Sequence, residues 1–277
     1  MPRGEQDRPG GLSPQEKTRH AIQTLEEGVE TILAGEGFAD YLRVMARFHA
    51  YSSGNILLIH LQRPDATQVA GYRKWKELGR QVKRGEKGIT ILVPYKHKVQ
   101  KEEEEEEHYT VSGFGVASVF DVSQTEGPPL PEPPQVVFVA GASDPGMRLY
   151  VDLLDYLEGQ GIRTAREDTR PANGYFDPFR RHVAIGNHID GDQATKTLLH
   201  ETAHVVAGHT LYMDSPDVET VAESAAYVVL NFYGLDSSGY TFPYVAGWAT
   251  DRAVLKRNLD AIQTTAHTII EGIEPRH

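Results

Sequence analysis

Apolar residues recur at helical spacing from Gln15 onward. Ile22, Leu25, Val29, Ile32 and Leu33 trace one face and predict a first helix. A second such pattern covers about 37–48, with Phe38, Tyr41, Leu42 and Met45 turned inward. "SSGNILLIHLQ" predicts a third helix, capped by Ser53 with Asn55 in its first turn. The period then changes. "GYRKWKELG" reads as a short helix closed by Gly79, "GEKG" as a turn and "ITILVPY" as a strand. "YTVSGFGVASVFDV" supplies a second strand, so the two form a hairpin with 96–107 at its tip.

Beyond "EGPPLPEPPQ", a stiff proline-rich stretch at 126–135, the pattern restarts. It runs through "VVFVA", a helix near 145–158, and strands around "GYFDP" and "HVAIG". A long helix through "TKTLLHETAHVVAGH" follows, then helices near 215–233 and 251–272. The expected fold class is α+β in two domains. A tail at 1–14 precedes a helical and β-hairpin module at 15–127. A linker at 128–136 leads to a second domain at 137–277. No internal repeat is visible.

Composition narrows the chemistry. The 277 residues are 39% hydrophobic and contain no cysteine, which excludes disulfides, thiolate catalysis and cysteine-held metals. Any metal must be held by His, Asp or Glu. No apolar run approaches 18 residues and no basic-then-apolar leader is present, so a cytoplasmic protein without membrane contact is expected. The net charge of −11 hides an asymmetry. Between Tyr72 and Lys101 stand ten Lys or Arg against only Glu77 and Glu86, followed by an unbroken acidic run, 102–107. Six glutamates cannot pack together, so that run predicts a solvated loop.

The first site candidate is His200-Glu201-x-x-His204. Residues four apart on a helix share a face, so both imidazoles can reach one ion. Glu201 then projects toward water held at that ion and can accept its proton, which is why the pattern serves zinc peptidases. A catalytic zinc needs a third protein ligand and an open position. "DVETVAESAAYVV" offers Glu219, with Glu223 one turn along to orient a ligand histidine, and the reverse assignment stays open. Leu198, Leu199, Ala203, Val205 and Val206 make the helix a buried one, where two imidazoles and a carboxylate need partners. His182 and His188 read as surface or packing residues, and His209 as a helix-end histidine suited to the dipole.

The second candidate is the basic segment. Arg73, Lys74, Lys76, Arg80, Lys83, Arg84 and Lys87 interleave with Tyr72, Trp75 and Tyr95, and Tyr51 and Asn55 can extend the same face. Cations that track phosphates beside aromatics on which bases stack suit single-stranded DNA. A solvated basic helix with Trp75 in the core is the plainer alternative.

"WKELGRQVKRGEKGITILVPY" followed by "VFDVSQTEGPPLP" resembles the N-terminal domain of ArdC-type antirestriction proteins over most of 15–131. The specific elements are Trp75, Gly79, the 85–88 turn and Phe120-Asp121-Val122-Ser123-Gln124-Thr125. The second half resembles the zinc-peptidase domain that these proteins share in outline with the ImmA/IrrE regulators. The resemblance implies a single-stranded-DNA-binding module joined to a gluzincin-like metallopeptidase domain holding Zn2+. The expected function is metal-activated hydrolysis of DNA-associated proteins. Two alternatives remain open at this point. One is a non-catalytic protein that occludes DNA around a structural zinc; the other is an ImmA/IrrE-like peptidase that cleaves a repressor. The six-glutamate run departs from the family pattern.

Overall fold

A computed structural model describes residues 12–32, 37–99, 108–130, 145–209, 216–235 and 252–273. The tail up to residue 11, the glutamate run, most of the proline-rich linker and "VVFVA" lie outside the described residues. The fold is mixed α+β. The chain separates into two compact units, Met1–Gly28 with Leu57–Pro129 and Val29–Ile56 with Leu130–His277. No described helix is long and apolar enough to cross a membrane.

The first unit contains most of α1 (Pro14–Ile32) and of α3 (Ser53–Gln62), and then β1 (Val69–Gly71) and α4 (Tyr72–Glu77). The strands β2 (Gln81–Val82), β3 (Ile89–Val99), β4 (His108–Asp121) and β5 (Thr125–Glu126) follow. β4 is the centre of an antiparallel sheet in the order β1-β4-β3, and β2 pairs with β5 separately. The expected hairpin is present, with Ile89 opposite Val119 and a register shift after Tyr95. Of the expected α1 face Val29 is buried at 7%, whereas Ile22 is 38% exposed and Ala21, at 4%, is buried in its place. Gly28 packs closely, where an added Cβ would stand 2.2 Å from Leu61 Cδ1.

The segment around 121–125 is a hydrogen-bonded knot. Buried Asp121 accepts from Ser123 N at 2.9 Å, Thr67 N at 2.7 Å and Gln68 N at 3.1 Å. Burial alone would raise its carboxyl; these donors, with the Ser123 hydroxyl, hold it below its ordinary value. Gln124 accepts from Asp121 N at 2.9 Å and donates to Glu86 Oε2 at 2.9 Å and Lys87 O at 2.8 Å. The 85–88 turn is thereby tied to the 121–125 segment. Gly85, at φ +90°, supplies the left-handed residue the turn requires.

The second unit holds α2 (Gly37–Arg47), α5 (Pro145–Gly159), β6 (Arg163–Glu167), β7 (Gly174–Asp177) and β8 (His182–Gly186). It continues with α6 (Gly191–Val206), α7 (Pro216–Phe232) and a last helix, α8 (Arg252–Ile273). Residues 29–56, expected with the N-terminal module, pack here. α2 lies against α7, and Phe38, Tyr41, Leu42 and Met45 are all at most 1% exposed. Ser52, not Ser53, caps α3, its Oγ accepting from Asn55 N at 3.4 Å; Ser53 Oγ instead donates to Asp260. The sheet runs β6-β8-β7, with β6 parallel and β7 antiparallel to β8. α6 packs among α5, α7, α8 and this sheet. Leu198 and Leu199 are fully buried, each contributing about 1.5–3 kcal/mol.

Candidate metal centre and nucleic-acid face

α6 ends in a Schellman turn. Gly208, at φ +69°, lets Gly208 N donate to Val205 O at 3.2 Å and His209 N to His204 O at 3.0 Å. α7 then brings an acidic first turn back across α6, with which it packs. These two pieces of backbone assemble the site.

His200 Nε2 and His204 Nε2 lie 2.9 Å apart. The two carboxylate oxygens of Glu219 lie 3.5 Å from His200 Nε2 and 3.6 Å from His204 Nε2. Ligand atoms about 2.1 Å from a tetrahedral ion stand about 3.4 Å apart, and these edges bracket that value. His200, His204 and Glu219 can each offer one ligand atom, all within 4.8 Å of one another. Glu223 takes the other side of His200: its Oε1 is 3.8 Å from Nδ1, a buried nitrogen with no hydrogen-bond partner. His204 Nδ1 faces His209 Nδ1 at 2.9 Å. His209 is therefore a neighbour of a site residue and not only a helix-end charge. Its sequence signal was Gly208, since the residue after a Schellman glycine folds back over the last turn.

Electrostatics fit a cation at this point. Burial alone would depress His200, but Glu219, Glu223 and Glu201 around it raise its proton affinity well above the ordinary histidine range. Burial, reinforced by His200, drives His204 down to about 3. The facing His200 holds the Glu219 carboxyl below its usual value. A proton on His200 thus plays the part that a metal ion would fill. Glu201 is 7% exposed. Burial pushes it up to about 7, against which Phe176 N–H of β7 hydrogen-bonds it. The donors, the unpartnered Nδ1 and the charge balance fit a divalent cation.

The basic segment divides. Arg73, Lys74, Lys76, Arg84 and Lys87 are exposed. Lys74 pairs with Glu77 at 3.5 Å; Arg73, Lys76, Arg84 and Lys87 have no ion-pair partner among the described residues. Lys83 is also exposed, but its Nζ donates to Ser123 O at 2.9 Å. Two expected contacts are corrected. Trp75 is 2% exposed and its Nε1 donates to Phe120 O at 2.8 Å, so its ring cannot stack a base. The Arg80 guanidinium is spent on Thr125 Oγ1 at 2.8 Å, Gly127 O and Pro128 O. Among the described residues of the first unit, the exposed aromatics are Tyr72 at 51%, Tyr95 at 54% and Phe114 at 52%, the last lying outside the basic segment. Phe114 stands opposite Pro94 in the register, beside Tyr95. Tyr51 and Asn55 belong to the second unit. Tyr51 is half-buried, edge-on to Phe48 at 6.4 Å.

A half-buried His-His-Glu cluster beside the buried Glu201 defines a candidate divalent-metal centre, in a chain whose other unit exposes a basic segment. Residues 14–122 match the profile of the N-terminal domain of anti-restriction factor ArdC. Over 288 aligned residues the chain is 24% identical to an uncharacterized protein of Bacillus anthracis, covering 87% of this chain and 48% of that protein. The chain thus spans about half the length of this curated relative. Among solved structures it is similar to the antirestriction ArdC protein from plasmid R388. The metal-free form aligns at 22% identity and TM-score 0.46, over 80% of this chain and 85% of that one. The Mn(II)-bound form aligns at 19% identity and TM-score 0.49, over 91% and 99%.

Proposed function

We propose that the second unit is a zinc-dependent peptide hydrolase and that the first binds single-stranded DNA, directing hydrolysis to DNA-associated proteins. The observation that carries the reading is the convergence of His200, His204 and Glu219 within 4.8 Å, one residue from a carboxylate held near neutrality. His200, His204 and Glu219 hold the ion. Glu223 receives the free ring N–H of His200, and His209 that of His204, so each ligand's tautomer is fixed. When bound, Zn2+ supplies Lewis acidity and makes water acidic enough to lose a proton near neutral pH. With the ion bound, Glu201 would be the group placed to take a proton from water and pass it to the leaving amine. Arg73, Lys74, Lys76, Arg84 and Lys87 track phosphates, and Tyr72, Tyr95 and Phe114 offer faces to bases. The match of residues 14–122 to the N-terminal domain of anti-restriction factor ArdC supports the DNA assignment.

The test is Glu201→Gln, assayed for cleavage of labelled casein with Zn2+ or Mn2+ and an oligo-dT strand. Cleavage should disappear while metal and oligonucleotide affinity remain. Wild-type cleavage by the variant refutes the hydrolase reading. Protection of DNA from a restriction nuclease that survives the change intact moves the function to occlusion of DNA.

A further inference from the structure

The second unit carries another cluster of metal-ligating side chains. His49 lies in the turn after α2. His267 and Glu271 are four apart on α8 and so share one face of that helix. His49 Nδ1 stands 3.0 Å from His267 Nδ1, across 218 residues of sequence. The rings have centroids 5.3 Å apart and are tilted by 36°. With a carboxylate oxygen of Glu271, the three ligand atoms all lie within 4.8 Å of one another. This repeats the donor chemistry and spacing of the first centre: two imidazole nitrogens at about 3 Å and a carboxylate.

The surroundings hold the donors in place. Gln263 Nε2, one turn before His267, donates to the backbone carbonyl of His49. Ser53 Oγ donates to Asp260, a further turn back on α8. Phe232 stands edge-on to His49 at 5.0 Å and 87°, giving the imidazole an apolar wall. His49 and His267 are half-buried, while Glu271 is exposed, which leaves an entry path and open coordination positions. The 3.0 Å spacing of the two Nδ1 atoms leaves room for one N–H···N bond between them or for one ion held by both.

We propose that His49, His267 and Glu271 form a second transition-metal site that staples the α2–α3 turn to the C-terminal helix. Two imidazoles and one carboxylate suit Zn2+, Co2+ or Ni2+, whereas Ca2+ and Mg2+ take oxygen ligands. The site is independent of whether the first centre is catalytic.

Cobalt(II) is the probe, counted by equilibrium dialysis of the 277-residue chain and read by its visible absorption. Wild type should bind two equivalents. The His200→Ala/His204→Ala variant and the His267→Ala variant should each bind one, and the three changes together none. Glu271→Gln should weaken the second step at least tenfold. Cobalt should also raise the melting temperature of His200→Ala/His204→Ala, and adding His267→Ala should remove that rise. Undiminished cobalt uptake by His267→Ala overturns the proposal, as does a folded His200→Ala/His204→Ala chain that binds none. Should that variant not fold, wild type against Glu271→Gln decides, and equal affinity at the second step overturns the site. Loss of the first centre alone leaves one equivalent bound, so the two assignments fail separately.

Discussion

Glu201→Gln should stabilise the metal-free chain, and the gain should grow with pH. The carboxyl is held near 7 against an ordinary 4.5, chiefly by burial. One pH unit corresponds to about 1.36 kcal/mol, so the fold disfavours the ionised form by about 3 kcal/mol. Between pH 4.5 and 7 the unfolded chain has lost this proton while the folded chain keeps it. Stability therefore falls as pH rises through that window and levels off above the folded value. Glutamine keeps the shape and an oxygen for the Phe176 N–H but never ionises. The variant should match wild type near pH 4 and exceed it by about 3 kcal/mol at pH 8. Urea denaturation in a chelator, followed by circular dichroism at several pH values, measures the difference. A gap that stays constant across this range refutes the burial argument. A wild-type advantage that widens toward pH 8 refutes it more strongly.

Further outcomes follow from the same geometry. Zn2+ must displace the proton that the carboxylates hold on His200, so binding near pH 6.5 should release about one proton. Calorimetry in buffers of different ionisation enthalpy reads this, and no release contradicts the raised His200. Trp75→Ala should cost about 3–5 kcal/mol of stability without changing the DNA affinity of the folded fraction. Selective loss of affinity would return Trp75 to the binding face. Arg84→Ala and Lys87→Ala should each lower the slope of log affinity against log salt by about 0.7 on single strands. Arg80→Ala should leave that slope alone and lower the denaturation midpoint.

The legible parts of the fold were those with strong local periodicity. α2 shows its apolar stripe in Phe38, Tyr41, Leu42 and Met45, and all four are buried. His200 and His204 declare themselves by spacing on a buried helix, and Glu219 by its place on the next one. Contacts set by tertiary packing were not legible. On α1 Val29 is buried as its spacing predicts, but Ile22 is exposed, and the close approach of Gly28 to Leu61 is a pairing that periodicity does not encode. β6, "RTARE", has no apolar alternation to mark it; it is a strand because β8 pairs with it. Trp75 and Arg80 sit in a cationic, aromatic segment, yet Phe120, Thr125 and Gly127 claim their donors. The motif behind the family resemblance is largely this scaffold: Asp121 and Gln124 fix the turn that presents Arg84 and Lys87. That residues 29–56 belong to the second unit was not legible, because the boundaries fall inside α1 and α3, where no composition change marks them.

The central claim is that His200, His204 and Glu219 hold one divalent cation. The direct measurement is the metal content of the purified 277-residue chain after dialysis with Zn2+, against His204→Ala prepared identically. The account predicts that His204→Ala binds one equivalent fewer than wild type while keeping its helical circular dichroism. Equal zinc in the two folded proteins would contradict it.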